Sequence, residues 1–213
     1  MRDELYKWKF MSIGNEIIEN LRMKKHEAYL VESSSEALEI IKKLIPENSK
    51  VTVGGSITLS QTGIIDYLEN SNINYISRKN AKNSDEMNKV FLESFTSDFF
   101  ICSANAITYD GKIVQLDGNG SRVAPMIWGP KNVIIVAGMN KVVNNLEEAN
   151  SRITYIAPMN AKRLNTKTPC TRLGECIDCE SRERICVHKT ILETGVRHPG
   201  RFKIILIAEN LGL

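Results

Sequence analysis

Short apolar runs alternate with helical stretches along almost the whole chain, and this alternation limits the fold more than any other feature. Two runs, NVIIVA at 132–137 and KIILIA at 203–208, are apolar without a break after their first residue. A strand with one wet face alternates apolar and polar residues, so unbroken runs of this length point to strands covered on both faces. Shorter strands are expected at 28–31, 50–53, 74–76, 98–102 and 112–116. Helices are expected at 3–24, after Ser33, from Ser56 through Leu68, and at 85–95, 123–128 and 146–157. Strand, turn and helix repeated at this length specify an α/β fold, an open and mostly parallel sheet with flanking helices. The 213 residues are enough for one core, so a single domain is expected over 1–213.

Local signals sharpen several elements. Leu5, Trp8, Ile13, Ile17 and Leu21 recur at helical spacing and mark one face of the leading helix over 1–24. Either a core or a sister subunit covers such a face, so a homo-oligomer is one of the two outcomes. Ser33 and Glu36 stand at capping-box spacing before Ala37, Leu38, Ile41 and Leu44.

Charge and hydropathy exclude some roles. A net charge of +3 is too small to argue for nucleic acid. The N-terminus is charged throughout and lacks a secretory pattern. No stretch approaches the roughly 18 apolar residues of a membrane span. A cytoplasmic protein is expected, with thiols reduced unless bound to metal.

In open α/β sheets, ligands bind beyond the carboxyl ends of the strands. The polar residues that follow each strand are therefore the candidate binding residues. Gly54, Gly55, Ser56 and Thr58 follow the strand at 50–53; the glycines free the backbone to aim N–H groups at an anion, and the hydroxyls add donors. The set is neither a dinucleotide fingerprint nor a Walker loop. Asn105 follows the strand at 98–102. Asp117, Gly118, Gly120 and Arg122 follow the strand at 112–116, and the Arg122 fork suits carboxylate or phosphate. Asn140 and Lys141 follow NVIIVA. Each signal alone equally describes a capped turn or a surface ion pair, but four at the ends of one sheet would converge on a small anionic metabolite.

Four of the five cysteines fall within 170–186, as Cys170, Cys176, Cys179 and Cys186, a C-x5-C-x2-C-x6-C spacing. Core thiols scatter with the hydrophobic pattern, whereas a metal loop gathers them. Only Cys176 and Cys179 form a zinc-type pair, and the first three approach plant-ferredoxin spacing without matching it. A [4Fe–4S] cluster, zinc, and reduced thiols without metal all remain open. Ten Lys and Arg against five Asp and Glu between Lys162 and Lys203 suit a site with a net negative charge, or simply a solvated basic surface. Cys102 ends an apolar strand and reads as core. His188 and His198 are isolated.

Taken in order, VGGSITLSQTGI at 53–64, CSANAIT at 102–108, LDGNGSRVAPMIWGPKNVIIVAGMNKVV at 116–143, APMNAKRL at 157–164, the thiols from TPC to RIC at 168–186 and KIILIAENLGL at 203–213 resemble the LUD domain, the lactate-utilisation family once known only as a domain of unknown function. The resemblance spans nearly the whole chain and implies a stand-alone bacterial form with a cysteine-rich loop at 168–190 before the last strand. It implies a fold similar to the sugar-phosphate isomerase and CoA-transferase group. It also implies a part in oxidising lactate, or a related 2-hydroxy acid, beside iron–sulfur or flavin subunits, so the chain is expected to be an oxidoreductase component. A non-redox enzyme acting on a phosphorylated or CoA-linked metabolite, and a non-catalytic subunit with a structural zinc loop, are the alternatives. No position matches the glutamate nucleophile of the CoA-transferases.

Overall fold

The computed structural model describes all 213 residues. The first half contains helix α1 (Arg2–Met23), strand β1 (Glu27–Val31), α2 (Ser34–Leu44), β2 (Lys50–Val53), α3 (Ile57–Gln61), α4 (Ile64–Asn70), β3 (Asn74–Tyr75), α5 (Ser84–Glu93) and β4 (Phe99–Cys102). The second half contains β5 (Ala106–Thr108), β6 (Ile113–Asp117), α6 (Val123–Ile127), β7 (Asn132–Gly138), β8 (Val142–Val143), α7 (Leu146–Arg163), α8 (Cys170–Leu173), β9 (His188–Leu192) and β10 (Phe202–Ile207).

Six strands form an all-parallel sheet in the order β1-β10-β7-β4-β2-β3. The two unbroken apolar runs, β7 and β10, lie side by side inside it, with Ile134 opposite Lys203 and Val136 opposite Ile205. Alternate side chains feed two cores. Phe100, Val133, Ile135, Ile204 and Leu206 pack against Phe10, Ile17, Ile18 and Leu21 of α1. Ile101, Ile134, Val136, Ile205 and Ile207 face Ala37 and Ile41 of α2, Leu59 of α3, and Ile64 and Leu68 of α4. A strand buried on both sides needs no polar alternation, which is why these runs read as continuous.

The expected face of the leading helix reaches the core at Ile13, Ile17 and Leu21 but not in its first turns. Its buried residues are Phe10, Gly14, Ile17, Ile18 and Leu21, while Leu5 and Trp8 are exposed. At Gly14 a Cβ would stand 2.7 Å from a Leu30 methyl, so β1 approaches the helix backbone at that point. The helix expected from Ser56 through Leu68 is two helices, divided at Gly63 with φ of +71°. The helix expected to end at Ala157 continues through Pro158 to Arg163.

A second sheet, not expected, has the order β8-β5-β6-β9. Its strands β5 and β8 are only three and two residues long. The strand expected at 112–116 belongs here, antiparallel to β5 and to β9, so the strand-end residues do not all come from one sheet. The cysteine-rich segment is less irregular than expected, since it carries helix α8 and ends in β9. No helix is long and apolar enough to cross a membrane.

Candidate functional site

The carboxyl ends of β2, β4 and β7 meet at Lys141. This lysine is 5% exposed, and its Nζ donates to Thr58 Oγ1 at 2.9 Å and to Ser103 Oγ at 3.0 Å. No carboxylate pairs with it. Burial, with Arg152 and Arg122 adding repulsion, lowers its pKa to about 7. A buried ammonium held only by hydroxyl partners favours an anion as its missing counter-charge. Ser56, Asn105, Arg122 and the C-terminal Gly212 and Leu213 also line this niche.

Arg122 forms the neighbouring wall. Its Nη2 donates to Asn105 Oδ1 at 2.8 Å and to the Leu116 carbonyl at 2.7 Å, while its Nε is buried without a hydrogen-bond partner. Gly54 lies beneath it, and a Cβ there would stand 3.1 Å from both Arg122 Cγ and Cys102 Cβ. Gly54 is thus a packing requirement and does not line the niche. Gly55 is exposed, and a Cβ on it would reach within 2.8 Å of the Arg78 guanidinium. Ser56 does border the niche, but its hydroxyl oxygen accepts from Leu59 N–H at 3.2 Å as the cap of α3.

Other expected residues have structural work. Asp117 accepts the N–H groups of Gly120, Arg122 and Val123 at 3.1, 3.0 and 3.3 Å, so its carboxylate shapes the turn into α6. Gly118 lets the Ile185 backbone approach to 3.4 Å of its would-be Cβ. Gly120 adopts φ of +83° with open space beyond it. Asn140 is not part of the niche; its amide accepts from Leu211 N–H at 3.0 Å and pins the C-terminal tail. That tail lies over the site, since a Cβ on Gly212 would meet Thr58 Oγ1 at 2.6 Å and Lys141 Nζ at 3.0 Å.

The niche opens into a cleft of about 500 Å3 lined by Gly55, Arg78, Asp117, Arg122, Arg163 and Arg184, among others. Ser103, Arg78, Asn160 and Arg163 were not expected as site residues. Ser103 adjoins an expected strand end, and Asn160 and Arg163 lie in APMNAKRL. Arg78 carries no sequence signal, because a short turn after β3 delivers it.

The cysteine loop builds the opposite wall. No three His, Cys, Asp or Glu side chains stand close enough to close around one metal ion. All four loop thiols nonetheless border one small cavity, walled by Ala157, Ala161, Ile177 and Ile185. Burial pushes the Cys186 thiol up, and Cys176 and Cys179 add to the shift against the opposing Arg184. Arg184 clamps the loop through the Cys179 and Cys186 carbonyls at 2.7 and 2.9 Å and Asp178 at 2.8 Å. Four thiols around a shared void are the donor type that an iron–sulfur cluster and zinc both take. Cys102 is core as expected, fully buried, with its thiol pushed up to about 12 by burial.

The LUD domain family model matches residues 14–207. A DUF162 family protein from Deinococcus radiodurans has a similar structure, with TM-score 0.54, 12% identity, and coverage of 92% of this chain and 96% of that one. At that identity the likeness concerns the fold alone. Ribose 5 phosphate isomerase A from Neisseria gonorrhoeae is more loosely similar, with TM-score 0.40, 13% identity, and coverage of 84% and 94%. No curated protein matches the chain.

Proposed function

The chain belongs to the LUD domain family, whose model spans residues 14–207, and from that premise we propose that it is a component of the oxidation of lactate, or a related small 2-hydroxy acid, to the 2-oxo acid. The observation that carries this reading is a shared wall: Arg184 and Ile185 border both the basic cleft and the cavity of the four thiols. A substrate site and a redox site back to back are what such a component needs.

In this reading the substrate carboxylate takes the Lys141 niche. Lys141 supplies the charge, and Thr58 and Ser103 hold its ammonium in place. Arg122 adds a guanidinium held in position by Asn105 and the Leu116 carbonyl. Gly212 and Leu213 also border the niche. Cys170, Cys176, Cys179 and Cys186 would hold a [4Fe–4S] cluster, which supplies one-electron transfer when bound. Oxidation of a 2-hydroxy acid releases two electrons and two protons, and iron–sulfur or flavin partner subunits are the acceptors this reading assigns.

The test is iron, zinc and acid-labile sulfide content of protein purified without oxygen, with a visible spectrum, beside calorimetric titration with lactate. Iron and sulfide in equal amounts, with absorbance that bleaches on reduction and is lost in Cys176→Ser, would support the redox site. One zinc per chain, or no metal after anaerobic reconstitution, would overturn it. Absence of any carboxylate binding would overturn the substrate site.

A further inference from the structure

The arginine end of the cleft holds more positive charge than a three-carbon acid can neutralise. Arg78, Arg122 and Arg163 stand close enough to repel one another: Arg78 is held below the ordinary arginine range by burial first, with Arg122 and Arg163 adding to it. Arg163 is lowered in the same way, by burial and then by Arg122. The available carboxylates are committed elsewhere. Asp117 is occupied by three backbone N–H groups, with Arg122 Nε at 3.8 Å. Asp178 and Glu180 pair with Arg184, at 2.8 and 3.9 Å. Arg163 touches only the Asn160 amide oxygen, at 2.8 Å from Nη2. The Arg78 guanidinium lies over the bare face of Gly55 and forms no ion pair, Tyr75 and the more distant Asp117 only partly offsetting the two arginines.

This end is continuous with the Lys141 niche, because Gly55, Arg122, Asn160 and Arg163 border both chambers. The niche is the smaller chamber, about 60 Å3 against about 500 Å3 for the cleft. A molecule that fills only the niche leaves the half-buried Arg78 and the exposed Arg163 beside Arg122 without an anion, an arrangement that a second bound anion relieves. Planar forks in this number suit a carboxylate or a phosphate.

We propose that the cleft takes a 2-hydroxy acid with two anionic groups, a carboxylate in the Lys141 niche and a second anion, carboxylate or phosphate, on Arg78, Arg122 and Arg163. This rests on the reading of the niche as a carboxylate site. Lactate then occupies only half of the recognition surface.

Titration calorimetry at low ionic strength with lactate, malate and 3-phosphoglycerate tests it, since the last two carry a second carboxylate or a phosphate on the lactate skeleton. Inorganic phosphate serves as a separate probe of the arginine end. At least one of the two larger acids should bind about tenfold or more tighter than lactate, and which one it is identifies the second group. Arg78→Met should bring that ratio towards one. Arg163→Met, at an exposed position, gives the same readout should Arg78→Met fail to fold. Lys141→Met should weaken all three acids. Equal affinity of the wild type for lactate and both larger acids would overturn the proposal while leaving the carboxylate niche intact, as would a ratio unchanged in both arginine variants. No binding of any of the acids would remove the niche reading and this inference together.

Discussion

Lys141 Nζ sits 2.9 Å from Thr58 Oγ1, although the two residues are 83 positions apart in the chain. The contact ties the end of β7 to α3 after β2 and sets a buried amine at the mouth of the parallel sheet. With a pKa of about 7, this amine is half protonated at neutral pH.

Only the ammonium attracts an anion, so carboxylate affinity should depend on pH. Below pH 7 Lys141 is already charged and affinity is flat. Above pH 7 binding must take up a proton, and affinity should fall by up to tenfold per unit. Calorimetry in buffers of different ionisation enthalpy should show that proton uptake at pH 8. In Lys141→Met both the pH dependence and the uptake should disappear.

His26 should control acid stability. It is 4% exposed, neither ring nitrogen has a partner, and its ring meets Phe202 edge-on at 5.4 Å. Burial first, and then Lys24, lowers its pKa to about 4. An unfolded histidine takes its proton near pH 6.5. The unfolded state therefore binds more protons between pH 6.5 and 4, and the stability contributed by neutral His26 is complete above 6.5 and lost as pH falls towards 4. Urea midpoints should drop across that window, by an amount on the order of 2 kcal/mol, and His26→Leu should flatten the drop. Parallel curves for the two proteins would rule His26 out.

Asp117→Ala should destabilise the turn into α6. Three N–H groups lose their acceptor at once, at a cost of about 2–4 kcal/mol. In a chain of this size the melting temperature should fall by roughly 5–15 °C. Asp117→Asn keeps one oxygen acceptor and should lose less. A melting temperature unchanged in Asp117→Ala would show that water replaces the carboxylate freely.

Two glycines should separate folding from binding. A Cβ at Gly138 would lie 2.4 Å from Asn140 Oδ1 and 2.6 Å from the Glu209 carbonyl oxygen, the latter fixed backbone. Gly138→Ala should cost about 3 kcal/mol, seen as a lower denaturation midpoint. A Cβ at Gly55 meets only the mobile end of Arg78. Gly55→Ala should change stability by less than about 1 kcal/mol yet weaken anion binding by displacing that guanidinium. Equal losses of stability in the two variants would contradict this division.

Much of the main sheet was legible because its causes are local or periodic. The unbroken runs of β7 and β10 announce burial on both faces, and Ser33 caps α2 through Glu36 N–H as its spacing indicates. Thr58, Asn105 and Lys141 do converge, since they follow parallel strands whose carboxyl ends point to one side, and Arg122 joins them from the second sheet through its bond to Asn105. The second sheet was not legible: β5 and β8 have too few residues for any period, and they exist only because their partners are brought alongside. Leu5 and Trp8 kept the right spacing but lie beyond the part of α1 that reaches the sheet.

The chain by itself determined most strands and helices around the main sheet, and that this sheet is covered on both sides, because those follow from side-chain periodicity and capping within a few residues. Only the tertiary structure decided which polar residues share a space. It laid Arg78 over Gly55, turned Asp117 and Asn140 to structural work, drew four thiols around one cavity and set that cavity against the basic cleft. Those neighbours are up to about a hundred residues apart, and nothing short of the packed core holds them together.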